Sequence, residues 1–285
     1  MHRLARAAAI LCGAIFGVSL FSVSASADTK LPRPDHVVVI VMENHSFSQI
    51  MNGRDAPFLK HLAEGGATFT NAFAETHPSE PNYFALFSGS THDARSDGRY
   101  MFDGPTLAGA LIGAEKTFAG YIERGSPRKH NPWESFSDSQ SVERDLATFP
   151  ADYATLPTVS FVIPDLDDDM HDGSIKEGDA WLQQHLGAYA EWCKTHNSLL
   201  VVTFDEDDRN NQNRILTIFY GDHVKPGLYD RHINHYTVLR TLLTMFDLPP
   251  LAHAADEQPI QEIWSTPALP LVTPAAIEAV RTPTR

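Results

Sequence analysis

The sequence predicts an α/β protein with a mostly parallel central sheet covered by helices on both faces. Three observations carry this expectation: short unbroken apolar runs rich in β-branched residues, helical patterns spaced between them, and polar clusters placed directly after the runs. Strands buried on both faces read as continuous apolar runs, and parallel neighbours need a crossover, usually helical, between them.

Val37–Met42 is a β-branched run long enough for a strand and too short for a typical helix. Ala56–Glu64 has helical spacing and is closed by Gly65-Gly66. Thr68–Ala74 reads as a strand, Glu80 to about Phe87 as a helix, Thr106–Ala114 as a helix and Phe118–Glu123 as a strand. Thr158–Ile163 is a further strand, followed by a long amphipathic helix over Asp179–Thr195. Leu199–Phe204 and Ile215–Tyr220 read as strands, and Tyr236–Phe246 as the last helix. No internal repeat or low-complexity tract interrupts the pattern, and the Pro-rich stretch from about Pro267 reads as an irregular C-terminal tail.

The N-terminus is read separately. Arg3 and Arg6 precede an apolar run from Ala7 to about Val23, and Ala25-Ser26-Ala27 is a small-x-small cleavage signature. Residues 1–27 are therefore expected to be a signal peptide and the mature protein secreted or periplasmic, with an uncleaved anchor as the alternative. The 285-residue chain would keep about 258 residues after cleavage, enough for one α/β domain over 28–285. Of the two cysteines only Cys193 would remain, so no internal disulfide can form. Two arginines and no acid leave with the signal, taking the formal charge from −14 to −16. That balance argues against nucleic-acid binding, which needs a positive face. It also argues against stable membrane insertion after cleavage, since no Lys- or Arg-rich amphipathic helix stands out.

The acids fall at strand ends. Glu43-Asn44 follows the first strand, Asp165–Asp172 follows the Thr158 strand, and Asp205–Asp208 follows the Leu199 strand. Ligands of open α/β sheets bind beyond the carboxyl ends of strands, so the three clusters are expected to meet at one site. Asp165–Asp172 alone holds five carboxylates, and two unit charges about 5 Å apart repel by roughly 3 kcal/mol at an effective dielectric of 20. A divalent cation or protonation relieves such a cluster. An EF-hand does not fit: counting from Asp165 puts Met170 where the loop needs Gly and Lys176 where it needs Glu. A scattered site follows, to which His171 and His235 add imidazole, favouring a transition metal or mixed N/O ligation.

Ser79 stands at the start of the Glu80 helix, with Glu80 and Pro81 behind it. Two readings are open there. A serine at that place can be a plain N-cap, worth about 1 kcal/mol. A hydroxyl at a helix N-terminus, where free N–H groups bind phosphate, can equally be a nucleophile.

Six segments occur in a telling order: Glu43-Asn44-His-Ser-Phe47, His77-Pro-Ser-Glu-Pro-Asn-Tyr83, Lys129-His-Asn-Pro-Trp133, Asp169-Met-His-Asp-Gly-Ser174, Thr203-Phe-Asp-Glu-Asp-Asp208 and Asn234-His-Tyr236. From Pro34 to Trp264 the chain resembles the bacterial phosphoesterase family of acid phosphatases and phospholipases C, a branch of the alkaline phosphatase superfamily. The resemblance implies an alkaline-phosphatase-like fold and a metal-assisted acid phosphatase acting on phosphate monoesters, phosphoinositide headgroups among them. It makes Ser79 the nucleophile and His130 a leaving-group acid or phosphate contact. Glu43, Asn44, Asp169, His171, Asp205, Glu206 and His235 become metal or phosphate contacts, and His77 a residue that orders the Ser79 turn. A phosphodiesterase or phospholipase C on the same nucleophile is the nearest alternative, and a non-catalytic metal-binding protein a second. Two features depart from the pattern: Asp165 and Asp168 replace frequent asparagines, and Thr91–Arg128 lacks the cysteines of a mycobacterial relative.

Overall fold

The computed structural model describes residues 31–265, so the expected signal segment and the tail from about 267 lie outside the described residues. The first strand, β1 (His36–Met42), is buried from Val37 onward. After it come two helices, α1 (Phe47–Asn52) and α2 (Pro57–Gly65), and then β2 (Ala67–Phe73). The helices α3 (Ser79–Ser88) and α4 (Leu107–Gly113) lead to β3 (Phe118–Ile122). Short helical turns separate β3 from β4 (Glu143–Asp145) and β5 (Val159–Ile163). The long helix α5 (Ile175–Cys193) precedes β6 (Ser198–Phe204) and β7 (Arg214–Gly221). Two short strands, β8 (Gly227–Tyr229) and β9 (Ile233–Asn234), lead into α6 (His235–Met245).

The strands form one sheet in the order β4-β3-β5-β1-β6-β7-β2-β8, with β9 also on β2. Among the described strands only β7 runs against the rest, pairing antiparallel with β6 and with β2. The nine residues from Asp205 to Asn213 that join β6 to β7 are too few for a parallel crossover, which takes a dozen or more. The expected mostly parallel sheet is thus found, with its single reversal at the place where the connection is short.

Both faces of the sheet are covered. Successive side chains of a strand point to opposite faces, and every residue of β5 and β6 is buried. One helical group is α2 against α5, which also packs on β6 and β7; the other is α3 with α4 and α6. The two helices of the first group are joined by a buried acid. Ala56, at the start of α2, offers no capping side chain, and Asp179 of α5 accepts from Phe58 N at 2.9 Å and Leu59 N at 2.8 Å. On β3, Gly120 is required by a neighbour, since a Cβ there would lie 2.4 Å from the ring of the fully buried Trp133.

Differences from expectation are local. The long helix begins at Ile175 rather than Asp179, because Ser174 and Glu177 form a capping box one turn earlier. The short elements α1, β4, β8 and β9 are additional.

Candidate active site

The carboxyl ends of β1, β5 and β6 lie side by side, since β1 pairs in parallel with both others. Their outgoing loops are tied together by main-chain bonds: Glu43 N donates to Asp169 O at 2.8 Å, and Asp205 N to Met42 O at 2.9 Å. Asn44 takes a left-handed backbone, φ 59°, a conformation its short amide side chain tolerates better than most. Its N–H then donates to Asp205 Oδ1 at 3.0 Å.

Strand β2 is parallel to these and delivers α3 to the same end of the sheet. Ser79 is the first residue of α3, and the capping position belongs to Pro78, which makes no side-chain cap. The hydroxyl of Ser79 is therefore not a helix cap. It donates to Glu43 Oε2 at 3.1 Å and is 2% exposed. One turn on, Tyr83 donates its hydroxyl to Glu43 Oε1 and stacks on the His130 ring, with centroids 5.1 Å apart.

His130 is wholly buried, with Nε2 3.1 Å from Glu43 Oε1 and Nδ1 3.2 Å from Asp169 Oδ2. Neither nitrogen has hydrogen-bond geometry, and Asp169 Oδ2 and Asp205 Oδ2 are likewise buried without hydrogen-bond partners. Unsatisfied buried groups of this kind are costly and call for a ligand. Glu43, His130 and Asp169 offer ligand atoms within 4.8 Å of one another, so this set fits a divalent cation with mixed N/O ligation.

The electrostatics agree. Burial, with Asp205 and Asp169 adding repulsion, holds the Glu43 carboxyl well above the usual range. Asp169 is pushed up to about 8, mainly by burial, and Glu206 to about 8 by burial and then by Asp205. Burial also raises Asp205, while Asn44 N–H opposes the rise. His130 is driven well below its ordinary value by burial and by Lys129 and His171. A neutral imidazole among proton-holding carboxyls is the metal-free form of a ligand set.

The remaining expected residues take different places. Glu206 is nearly buried beside His77, whose Nδ1 is 2.8 Å away. Asn44, Ser79, His171 and Glu206 all line one cavity of about 450 Å³. His171 is on its wall, its Nδ1 2.7 Å from Asp172 and its Nε2 3.3 Å from Lys129 Nζ, while its backbone N–H donates to Asp169 Oδ1 at 2.8 Å. His235 is buried with both ring nitrogens engaged, by Glu75 at 2.6 Å and by the Phe204 carbonyl at 2.9 Å. Burial pulls its pKa down, but the charge and hydrogen bond of Glu75 more than offset this.

The acidic loop after β5 divides rather than converging whole. Only Asp169 enters the cluster; Asp165 and Asp168 join Glu123 in a second, half-buried group, and Asp167 and Asp172 are exposed. Residues that the sequence reading did not assign are Tyr83, Asp97 and Lys129. Tyr83 had a signal, since it is one helical turn from Ser79; Asp97 meets α3 across a loop that carries no pattern.

The fold is similar to that of solved members of the alkaline phosphatase superfamily. A superfamily member from Vibrio parahaemolyticus superposes with a TM-score of 0.56 over 80% of this chain and 71% of that one, at 13% identity. A model of the Phosphoesterase family matches residues 49–249, and the chain belongs to that family. It is 47% identical to a phosphatidylinositol-3-phosphatase of Mycobacterium tuberculosis over 90% of this chain and 91% of that one. It is 28% identical to a phosphate-repressible acid phosphatase of Penicillium chrysogenum over 76% of this chain, spanning 60% of the fungal protein. Relatives with these names are phosphomonoester hydrolases, and the chain is a hydrolase of phosphate esters.

Proposed function

We propose that this protein is an exported acid phosphatase that hydrolyses phosphate monoesters through a phosphoserine on Ser79, with phosphoinositide headgroups among its substrates. The observation that carries the reading is the hydroxyl of Ser79: buried, not spent on a helix cap, facing Glu43 and lining the cavity beside the acid cluster. The named activity of the mycobacterial relative supports the substrate class. The cleavage signature at Ala25–Ala27 supports export, and no helix among the described residues is long and apolar enough to cross a membrane. Residues 28–285 are read as one phosphoesterase domain, supported by the single core that the described elements share.

In the reaction, Ser79 Oγ bonds to phosphorus as the bond to the leaving oxygen breaks, and Glu43, once ionised, is the carboxylate nearest to accept the hydroxyl proton. The leaving alkoxide takes its proton from water in the open cavity. His130, wholly buried behind Glu43, is better suited to hold a cation than to reach the leaving group. A second displacement by water releases phosphate and restores Ser79. A divalent cation held by Glu43, Asp169, Asp205 and one nitrogen of His130 would supply the positive charge that favours the serine alkoxide. Asn44 and Glu206 both line the cavity, which supports reading them as phosphate or metal contacts.

Initial rates on p-nitrophenyl phosphate and bis-p-nitrophenyl phosphate test the reading, measured on native, metal-stripped and metal-restored protein. Monoester turnover that needs the metal is expected. Preference for the diester would move the assignment to the phospholipase C branch, and full activity in metal-free protein would remove the cation.

A further inference from the structure

We infer that Lys129 is the residue that selects dianionic phosphate monoesters, and that Asp97 positions it against Ser79; the inference rests on the monoesterase reading above. Lys129 follows Arg128 on the short helical turn Arg128–His130, so the turn that sends His130 into the cluster sends Lys129 to the cavity wall. Its side chain is 20% exposed, and its ammonium lies 3.2 Å from Asp97 Oδ2 and 3.3 Å from His171 Nε2. The other oxygen of Asp97 accepts from Glu80 N at 3.1 Å, and Glu80 is the residue after Ser79. One carboxylate thus spans the helix start that carries Ser79 and the cation that faces the same cavity.

Two other cations lie near this cavity, and neither is held as Lys129 is. Arg128 is already bound to Glu80 and to the Gly98 carbonyl. Arg209 also lines the cavity and its charge acts on Glu206, but it is exposed and no carboxylate among the described residues fixes it within salt-bridge distance. An ammonium held in place acts on phosphate as a point charge, and it attracts two negative charges more than one. A positioned cation therefore favours a monoester dianion over a diester monoanion, and favours the trigonal transition state whose oxygens carry the charge.

The test compares kcat/KM for p-nitrophenyl phosphate and bis-p-nitrophenyl phosphate in native protein, Lys129→Met, Lys129→Arg and Asp97→Asn. Inhibition by inorganic phosphate and bound metal per chain are measured alongside. Lys129→Met should lose about 100-fold on the monoester and under about 5-fold on the diester, bind phosphate at least about 10-fold more weakly and retain its metal. Lys129→Arg should recover part of the monoester rate, and Asp97→Asn should show the same selective loss in smaller degree. Equal losses on both substrates, or no loss, would overturn the inference. Absence of monoester turnover in the native protein would instead overturn the reading on which it rests.

Discussion

Ser79 owes its availability to the residue before it. With Pro78 at the capping position and no side-chain cap, the hydroxyl is free to face Glu43, and that geometry removes the cap reading left open by the sequence. Ser79→Ala should accordingly abolish turnover while changing stability by no more than about 1 kcal/mol, the net worth of one hydrogen bond. Activity assays paired with thermal melts check this, and an active mutant would remove Ser79 from its proposed role. The histidines divide in a similar way. Both nitrogens of His130 face carboxylate oxygens without hydrogen bonds, whereas His235 is fully bonded between Glu75 and the Phe204 carbonyl. His130→Gln should weaken metal binding at least about 10-fold, as loss of a ligand or its support does. His235→Gln should chiefly lower stability, by about 1–3 kcal/mol, because it removes the buried ring's bonds to Glu75 and to the Phe204 carbonyl. Metal titration and denaturant unfolding of the two variants would show the opposite order if the assignment is reversed.

Elements differ in how plainly the sequence announces them. The strands β1, β5 and β6 were legible because both their faces are buried, leaving unbroken apolar runs, and the acids of the site were legible because they follow those runs directly. The strands β4, β8 and β9 are two or three residues long and exist through pairing with a neighbour, which no local pattern records. Two helix starts did carry signals: Ser46 with Gln49 opens α1, and Ser174 with Glu177 opens α5. The division of the Asp165–Asp172 loop was not legible, since adjacent aspartates look alike until the turn that follows β5 aims each one. Asp179 belongs to the same class, because its partners are more than a hundred residues away in α2. Replacing it by Asn keeps the size but weakens acceptance from two backbone N–H groups at a helix start. Asp179→Asn should cost about 1–2 kcal/mol with kcat unchanged, read by urea unfolding and by assay. A change in kcat without loss of stability would contradict the purely structural place given to it.

At the scale of the molecule, the site is a concentration of charge that the metal-free fold holds by keeping protons. Asp169 and Glu206 are pushed up to about 8 and Glu43 is raised well above the usual range, against an ordinary carboxyl value of about 4. Carboxyls raised on folding stabilise the fold fully below that ordinary value and lose the contribution as pH rises toward their folded values. Metal-stripped protein should therefore melt at progressively lower temperature from about pH 5 to about pH 8, while metal affinity rises over the same window as ligands give up their protons. Calorimetry with and without a divalent cation checks both, and a pH-independent melting temperature in the stripped protein would contradict the electrostatics. On the proposed mechanism the phosphoryl group passes through Ser79. This step is tested most directly by rapid acid quench of the enzyme turning over a monoester, followed by peptide mass spectrometry. One added phosphate on the peptide that contains Ser79, absent without substrate, is the expected result. Steady turnover with that peptide unmodified, or with the phosphate on another residue, would contradict it.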